Sequence, residues 1–135
     1  MQPFFISFLA SLTSLAVIDG LWLTVIAKPF YAKSLSHLLA PTPRLVPAVL
    51  FYLAYAAGLS LLIVLPQVKA SGTVLTALSY GALLGFIAYA TYDLTNLATL
   101  TNWPLPITLI DLVWGTCLTG VVSLVAFSAV KRFGG

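Results

Sequence analysis

The sequence predicts an all-α fold, a four-span transmembrane helix bundle with a short interfacial helix between spans 1 and 2. Three observations predict it. Hydrophobic residues make up 61% of the chain and charged ones 7%, whereas a soluble domain keeps about a quarter of its residues charged. Four apolar runs are each long enough to cross ~30 Å of hydrocarbon at ~1.5 Å per helical residue. In lipid, a helix is the only open-chain structure that satisfies its own backbone. Residues 1–135 therefore read as a single integral membrane domain.

The first span covers about 4–27, the run from Phe4 to Ala27. It lacks a basic leading region and is too long for the apolar core of a cleaved signal, so it reads as a span. Residues 29–39 behave differently. Phe30, Tyr31, Leu35, Leu38 and Leu39 fall on one side of a helical wheel, and Lys33, Ser36 and His37 on the other. That pattern suits a helix lying along the headgroups. The second span covers about 46–65, with Pro47 in its first turn, where a missing N–H costs nothing. Pro66 is expected to close it. The third span covers about 73–98. Trp103-Pro104-Leu105-Pro106 then forces a turn, because a residue before proline avoids helical geometry. The fourth span covers about 107–130 and ends at Lys131 and Arg132.

Flanking charge barely orients the bundle. Lys69, Lys131 and Arg132 lie on the side of the termini, and Lys28, Lys33 and Arg44 on the opposite side. The positive-inside rule is balanced by this count, and the free α-amine tips it toward both termini inside. Ala77, Gly81 and Gly85 on span 3, and Ala54 and Gly58 on span 2, form stripes of small residues. Such stripes let backbones approach, and packing within the chain is expected of both in preference to a dimer seam.

Composition excludes several kinds of chemistry. The formal charge of +3 is scattered near segment ends, not clustered on a wet face as nucleic-acid binding requires. The single cysteine, Cys117, rules out an internal disulfide or a cysteine-based metal site. The single histidine, His37, lies on the interfacial helix, which excludes bis-histidine haem ligation within one chain. No lysine lies within a span, so there is no retinal Schiff base. No Ser-His-Asp or Cys-His set and no glycine-rich phosphate loop occurs. Three carboxylates would suit a hard cation such as Mg²⁺, but the paired D-x-x-D of membrane prenyl and phosphotransfer enzymes is missing. No metal, cofactor or catalytic residue is assigned, and a non-enzymatic role is favoured.

The acids carry the functional signal. Asp19, Asp93 and Asp111 are the only acidic residues, and all three lie in apolar segments. An aspartate at mid-helix costs about 2.5–3.5 kcal/mol on insertion scales. With antiparallel spans, Asp19 is ~12 Å from the end of span 1, Asp93 ~6–11 Å from the end of span 3 and Asp111 ~8 Å into span 4. Those two exits and that entrance share one side of the membrane, so the carboxyls fall in one layer. Each has a companion one helical turn away: Trp22 for Asp19, Trp114 for Asp111, and Tyr89 and Asn96 for Asp93. The first two share the pattern Ile-Asp-x-x-Trp, which is too short to indicate duplication. Indole, phenol and amide are donors a buried carboxyl uses. No Lys or Arg at that depth neutralises the acids, so the cluster is expected to hold protons or to attract an outside cation. The bland alternative is that each aspartate merely ties helices together, at about 0.6 kcal/mol per hydrogen bond.

The stretches IDGLWL followed by FYAKSLSHLL, then VPAVLFYLAYAAGLSLLIVLPQV, then YGALLGFIAYATYDLTNLATLTNWPLPITLIDLVWGT extend over essentially the whole chain. They resemble the bacterial membrane-protein family designated domain of unknown function 2177. The most specific part runs from Tyr92-Asp93-Leu94-Thr95-Asn96 through Trp103-Pro104 to Asp111 and Trp114-Gly115. The resemblance implies a four-span inner-membrane protein and adds no mechanism.

Three functions compete. The first is a protein of the bacterial inner (plasma) membrane that binds or transports protons or a small cationic, hydrogen-bonding or lipophilic ligand at Asp19, Asp93 and Asp111, with Trp22, Tyr89, Asn96 and Trp114 lining the site. Its partners would be membrane lipid, that ligand and, given the balanced flanking charge, a second copy in a homodimer. The second is a structural or accessory subunit of a larger membrane complex. The third, weaker, is an enzyme that modifies lipid headgroups.

Overall fold

Each apolar run forms one long helix. In the computed structural model, which describes residues 1–135, span 1 is Gln2–Ile26, span 2 Leu45–Lys69, span 3 Val74–Thr99 and span 4 Leu105–Phe133. All four are long and apolar enough to cross a membrane, and no strand is present. The chain is thus an all-helical, multi-pass membrane protein. Its leucines, valines and phenylalanines turned outward, such as Leu9, Val17, Leu62 and Val113, face lipid.

Two expected boundaries are corrected. Pro66 does not end span 2, which runs on to Lys69. A proline ring clashes with the carbonyl four residues back and offers that carbonyl no N–H. Here the turn ahead of it widens: Ser60–Val64 is π-helical, and the Leu65 N–H donates to the Ser60 carbonyl. The wider turn shifts the carbonyls away from the ring, and the helix continues. A second π turn, Trp22–Ile26, ends span 1 ahead of Pro29, with the Ala27 N–H donating to the Trp22 carbonyl. The surface helix is the other correction. It is Lys28–Ser34, not 29–39, and the chain leaves helical geometry at Leu35. A helix this short cannot offset its nucleation cost alone, and Ser34, Ser36 and His37 are weak helix formers.

The terminal-side turn between spans 2 and 3 reverses through Ser71 in the left-handed region, at φ 54°. Span 3 then starts at a capping box, with the Thr76 N–H donating to Thr73 Oγ1 at 3.2 Å and the Thr73 N–H to Thr76 Oγ1 at 2.9 Å. On the opposite side, Asn102 at φ 61° turns the chain into span 4.

Span 4 is the central helix. It packs most extensively on span 3, then on span 1. Spans 3 and 4 meet antiparallel through a stripe that repeats every fourth residue. Gly81 faces Ser123, Gly85 faces Thr119, and Gly115 carries the ring of Tyr89. A Cβ on Gly81 would lie 2.5 Å from Ser123 Cβ and 2.9 Å from the Thr119 carbonyl oxygen, and one on Gly85 2.7 Å from Thr119 Cβ. Only glycine permits so close an approach. Span 1 buries Ser7, Ser11, Leu15 and Asp19, again one residue in four. On the terminal side, Ser7 donates to Ser60 at 2.7 Å, beside an apolar core built around Leu15, Leu59, Val64, Leu118, Val122 and Phe127.

Span 2 is the loose member. It buries Ser60, Ile63 and Val64, but residues 45–51 are all exposed. Its first half leans chiefly on span 1. The expected Ala54–Gly58 packing stripe does not form. Ala54 is exposed, and a Cβ on Gly58 would have no neighbour within 4 Å.

Candidate functional site

The stripe that joins spans 3 and 4 also sets their acids. One further turn beyond Tyr89 and Gly115, the same register brings Asp93 to Asp111, and their side chains lie together. The glycines thus fix the distance between two carboxyls that nothing else in the sequence pairs. Asp93 is 0% exposed and neither of its oxygens receives a hydrogen bond from any other group. A buried polar group normally has a donor, and two facing carboxylates have none to offer each other.

Asp19 is placed differently. Its carboxyl accepts from Trp114 Nε1 at 3.0 Å on Oδ1 and from the Tyr52 hydroxyl at 2.7 Å on Oδ2. It thereby ties spans 1, 2 and 4. Asp111 accepts from the Tyr31 hydroxyl, which itself receives the Trp22 indole N–H at 3.2 Å. Burial, and then the neighbouring Asp111, push the Tyr31 phenol above its ordinary value. It therefore stays a donor.

The expected companions are exchanged between helices. Trp114, one turn from Asp111, serves Asp19, while Trp22, one turn from Asp19, reaches Asp111 through Tyr31. A side chain one turn away on its own helix lies alongside the acid, whereas the facing helix points straight at it. The two indoles stack at 4.2 Å and 9° where they cross. Neither Tyr89 nor Asn96 donates to Asp93. Tyr89 lies against Gly115, and Asn96 is half-buried without joining the acids.

Asp19 and Asp111 line one cavity of about 270 Å³. Trp22, Trp114, Tyr89, Tyr92, Tyr31 and Trp103 wall it. The chain's three tryptophans are all there. Trp103 closes the site from the turn before span 4. Its indole N–H donates to Thr108 Oγ1 at 3.1 Å, and Tyr92 meets it edge-on at 5.7 Å and 88°. Deeper in the bundle, Tyr55 and Thr119 share a hydrogen bond at 2.7 Å. Below that, the glycine seam of spans 3 and 4 leaves no room for a methyl group.

The residues expected at the site are Asp19, Asp93, Asp111, Trp22, Tyr89, Asn96 and Trp114. Of these Asp19, Trp22, Tyr89, Asp111 and Trp114 line the cavity, Asp93 lies behind it against Asp111, and Asn96 stands apart. Tyr31, Tyr52, Tyr92 and Trp103 were not expected there. A signal for Tyr52 was present: a phenol within an otherwise apolar run, at the depth of the acids. Tyr31 offered none, since its wheel position put it with the lipid-facing leucines.

No metal-ligand cluster of three or more His, Cys, Asp or Glu occurs. No curated protein and no solved structure matches the chain. A family profile described as predicted membrane protein (DUF2177) matches residues 4–128. With nearly its full length so matched, this chain belongs to the DUF2177 family of membrane proteins.

Proposed function

We propose that the pocket binds a small organic ammonium ion, with Asp111 as its direct carboxyl partner and the aromatic walls as its cage. The observation that carries this is the Asp93–Asp111 pair, two buried carboxyls without a Lys or Arg partner beside a cavity lined by indole and phenol rings. One proton between the two carboxyls supplies the donor that Asp93 lacks and leaves the pair with a single negative charge. A monovalent cation matches the charge of that pair, and Asp19, the other acid on the cavity, is already served by the Tyr52 and Trp114 donors. Aromatic faces attract ammonium groups by about 0.5–2 kcal/mol each, more when desolvated. The volume also limits the guest, since drug-sized ligands occupy about 300–1,000 Å³. The packed seam below the site favours binding over passage across the bilayer in this conformation. Helical spans point to the inner (plasma) membrane, because outer-membrane proteins cross as β-barrels.

All three tryptophans line the pocket, so intrinsic fluorescence reports directly on its occupation. Titrating the purified protein with ethylammonium chloride is expected to give a saturable change that ethanol and sodium chloride do not reproduce. Asp111→Asn is expected to weaken it at least tenfold with helicity unchanged. A non-saturable response, or equal affinity in the variant, would rule the reading out.

A second reading holds for Asp19 alone. Both its oxygens already have partners on other spans, which favours a helix-tying role for this acid.

A further inference from the structure

Two further cavities adjoin the aromatic wall of the pocket. Tyr89 and Tyr92, which line the acid cavity, also line a second cavity of about 290 Å³ with Phe51, Tyr55 and Ala88. Phe51 and Tyr55 in turn line a third, of about 260 Å³, floored by Ala54, Gly58 and Leu84. The second and third cavities form one groove between spans 2 and 3, which meets the acid cavity at Tyr89 and Tyr92 and runs from there toward the middle of the bilayer. From Tyr92 to Leu84 it descends roughly 12 Å along the helix axis.

Two features of span 2 produce this groove. Its first half diverges from span 3 and leans on span 1, held there by Tyr52 on Asp19. The small residues Ala54 and Gly58, which no helix of the bundle covers, form its floor. The lining is apolar apart from tyrosine hydroxyls, and no charged side chain enters it. An acidic, aromatic chamber at one end and an uncharged channel open to lipid along its length describe the complement of an amphiphile.

Resting on the ammonium-site reading, we infer that the ligand is a bilayer-dissolved amphiphile with a small ammonium head and an alkyl tail. It reaches the acids sideways, between spans 2 and 3, and its tail lies over Ala54 and Gly58. Charge fixes the head, since the chamber contains carboxyls without a lysine or arginine partner. The groove fixes the tail, because a fully polar ion would leave that apolar channel to ordinary lipid. Hydrophobicity does not drive the tail in, as lipid is equally apolar. Selectivity comes from the head, and the groove supplies a route and a shape.

The test uses the full chain in phosphatidylcholine nanodiscs and dodecylammonium carrying a photoreactive diazirine at mid-chain. Illumination is expected to label Ala54, Gly58, Leu84 or Ala88. Excess unlabelled dodecylammonium should remove at least four-fifths of that label, and dodecanol or dodecyl sulfate at equal mole fraction should leave it. Gly58→Leu, which fills the groove where a Cβ has free space, should cut groove labelling at least fivefold and leave the ethylammonium titration unchanged. Label spread evenly over lipid-facing positions such as Leu9, Val17 and Val113, or unaffected by Gly58→Leu, overturns the lateral route. If ethylammonium still titrates in that case, the acid site stands and only the groove assignment falls. If ethylammonium does not titrate at all, both fall together.

Discussion

Gly81 and Gly58 lie on neighbouring helices in similar small-residue stripes, yet they do opposite work. Gly81 is pressed against Ser123 and the backbone of span 4, while Gly58 looks onto open space. Around the first, the terminal-side half of the bundle is a dense seam of glycine, serine and threonine. Around the second, the opposite half opens into an acid chamber and a groove. The acids divide along the same line. Asp19 is fully partnered and ties spans together, whereas neither oxygen of Asp93 receives a hydrogen bond. A small residue or a buried carboxylate thus acquires its meaning from what stands opposite it.

The sharpest way to break this comparison is to make one substitution in both halves. Gly81→Ala is expected to cost about 1–3 kcal/mol by overpacking, read as a lower unfolding temperature in detergent. Gly58→Ala should be neutral or stabilising by up to about 1 kcal/mol, because alanine favours the helix and meets nothing there. Equal losses at both sites would mean that span 2 closes on span 3.

The acids come next. Asp19→Asn replaces one acceptor oxygen by an amide and strands one of the two donors, Tyr52 or Trp114. It is expected to cost about 1–2 kcal/mol. Asp93→Asn instead provides a permanent donor toward Asp111, and stability should be unchanged or raised. A large loss in Asp93→Asn would mean that this acid is structural as well.

Ser60→Ala removes the acceptor of Ser7 in the packed half. An average interhelical hydrogen bond in a membrane is worth about 0.6 kcal/mol, so a shift of about that size is expected in a thermal melt.

The smallest effect concerns alkaline pH. The Tyr31 phenol is held above its ordinary value of 10.0 by burial and by Asp111. Below that value, both folded and unfolded chains keep the proton. Above it, the unfolded chain loses the proton first, so stability falls as pH rises. Unfolding of Tyr31→Phe measured between pH 9 and pH 11, roughly one unit on either side of an ordinary phenol, should show a shallower decline than the parent. Identical slopes would show that Tyr31 is not held by Asp111.

Much of this was legible in the residues. Apolar runs and prolines placed four helices, and antiparallel passage put Asp19, Asp93 and Asp111 in one layer. The stripe Ala77, Gly81, Gly85 was visible as a seam, and its continuation through Tyr89 to Asp93 follows the same spacing of four. Partner choice was not legible. Whether Trp114 bonds the acid one turn away or the acid across the bundle depends on helix rotation, which an almost uniformly apolar sequence does not mark. Pro66 likewise looked like an end, because a π turn leaves no composition signal. The Ala54–Gly58 stripe looked like a seam because residue size says nothing about what faces it.

The pairing of Asp19 with Trp114 joins residues 95 positions apart. During synthesis, span 1 therefore reaches the membrane carrying a carboxyl whose indole partner is made three spans later. Until then Tyr52 is the only companion within reach. A nascent chain stalled after span 3 would hold Asp19 half-satisfied, Asp93 without Asp111 and a glycine seam facing lipid. The fourth helix is what resolves all three at once.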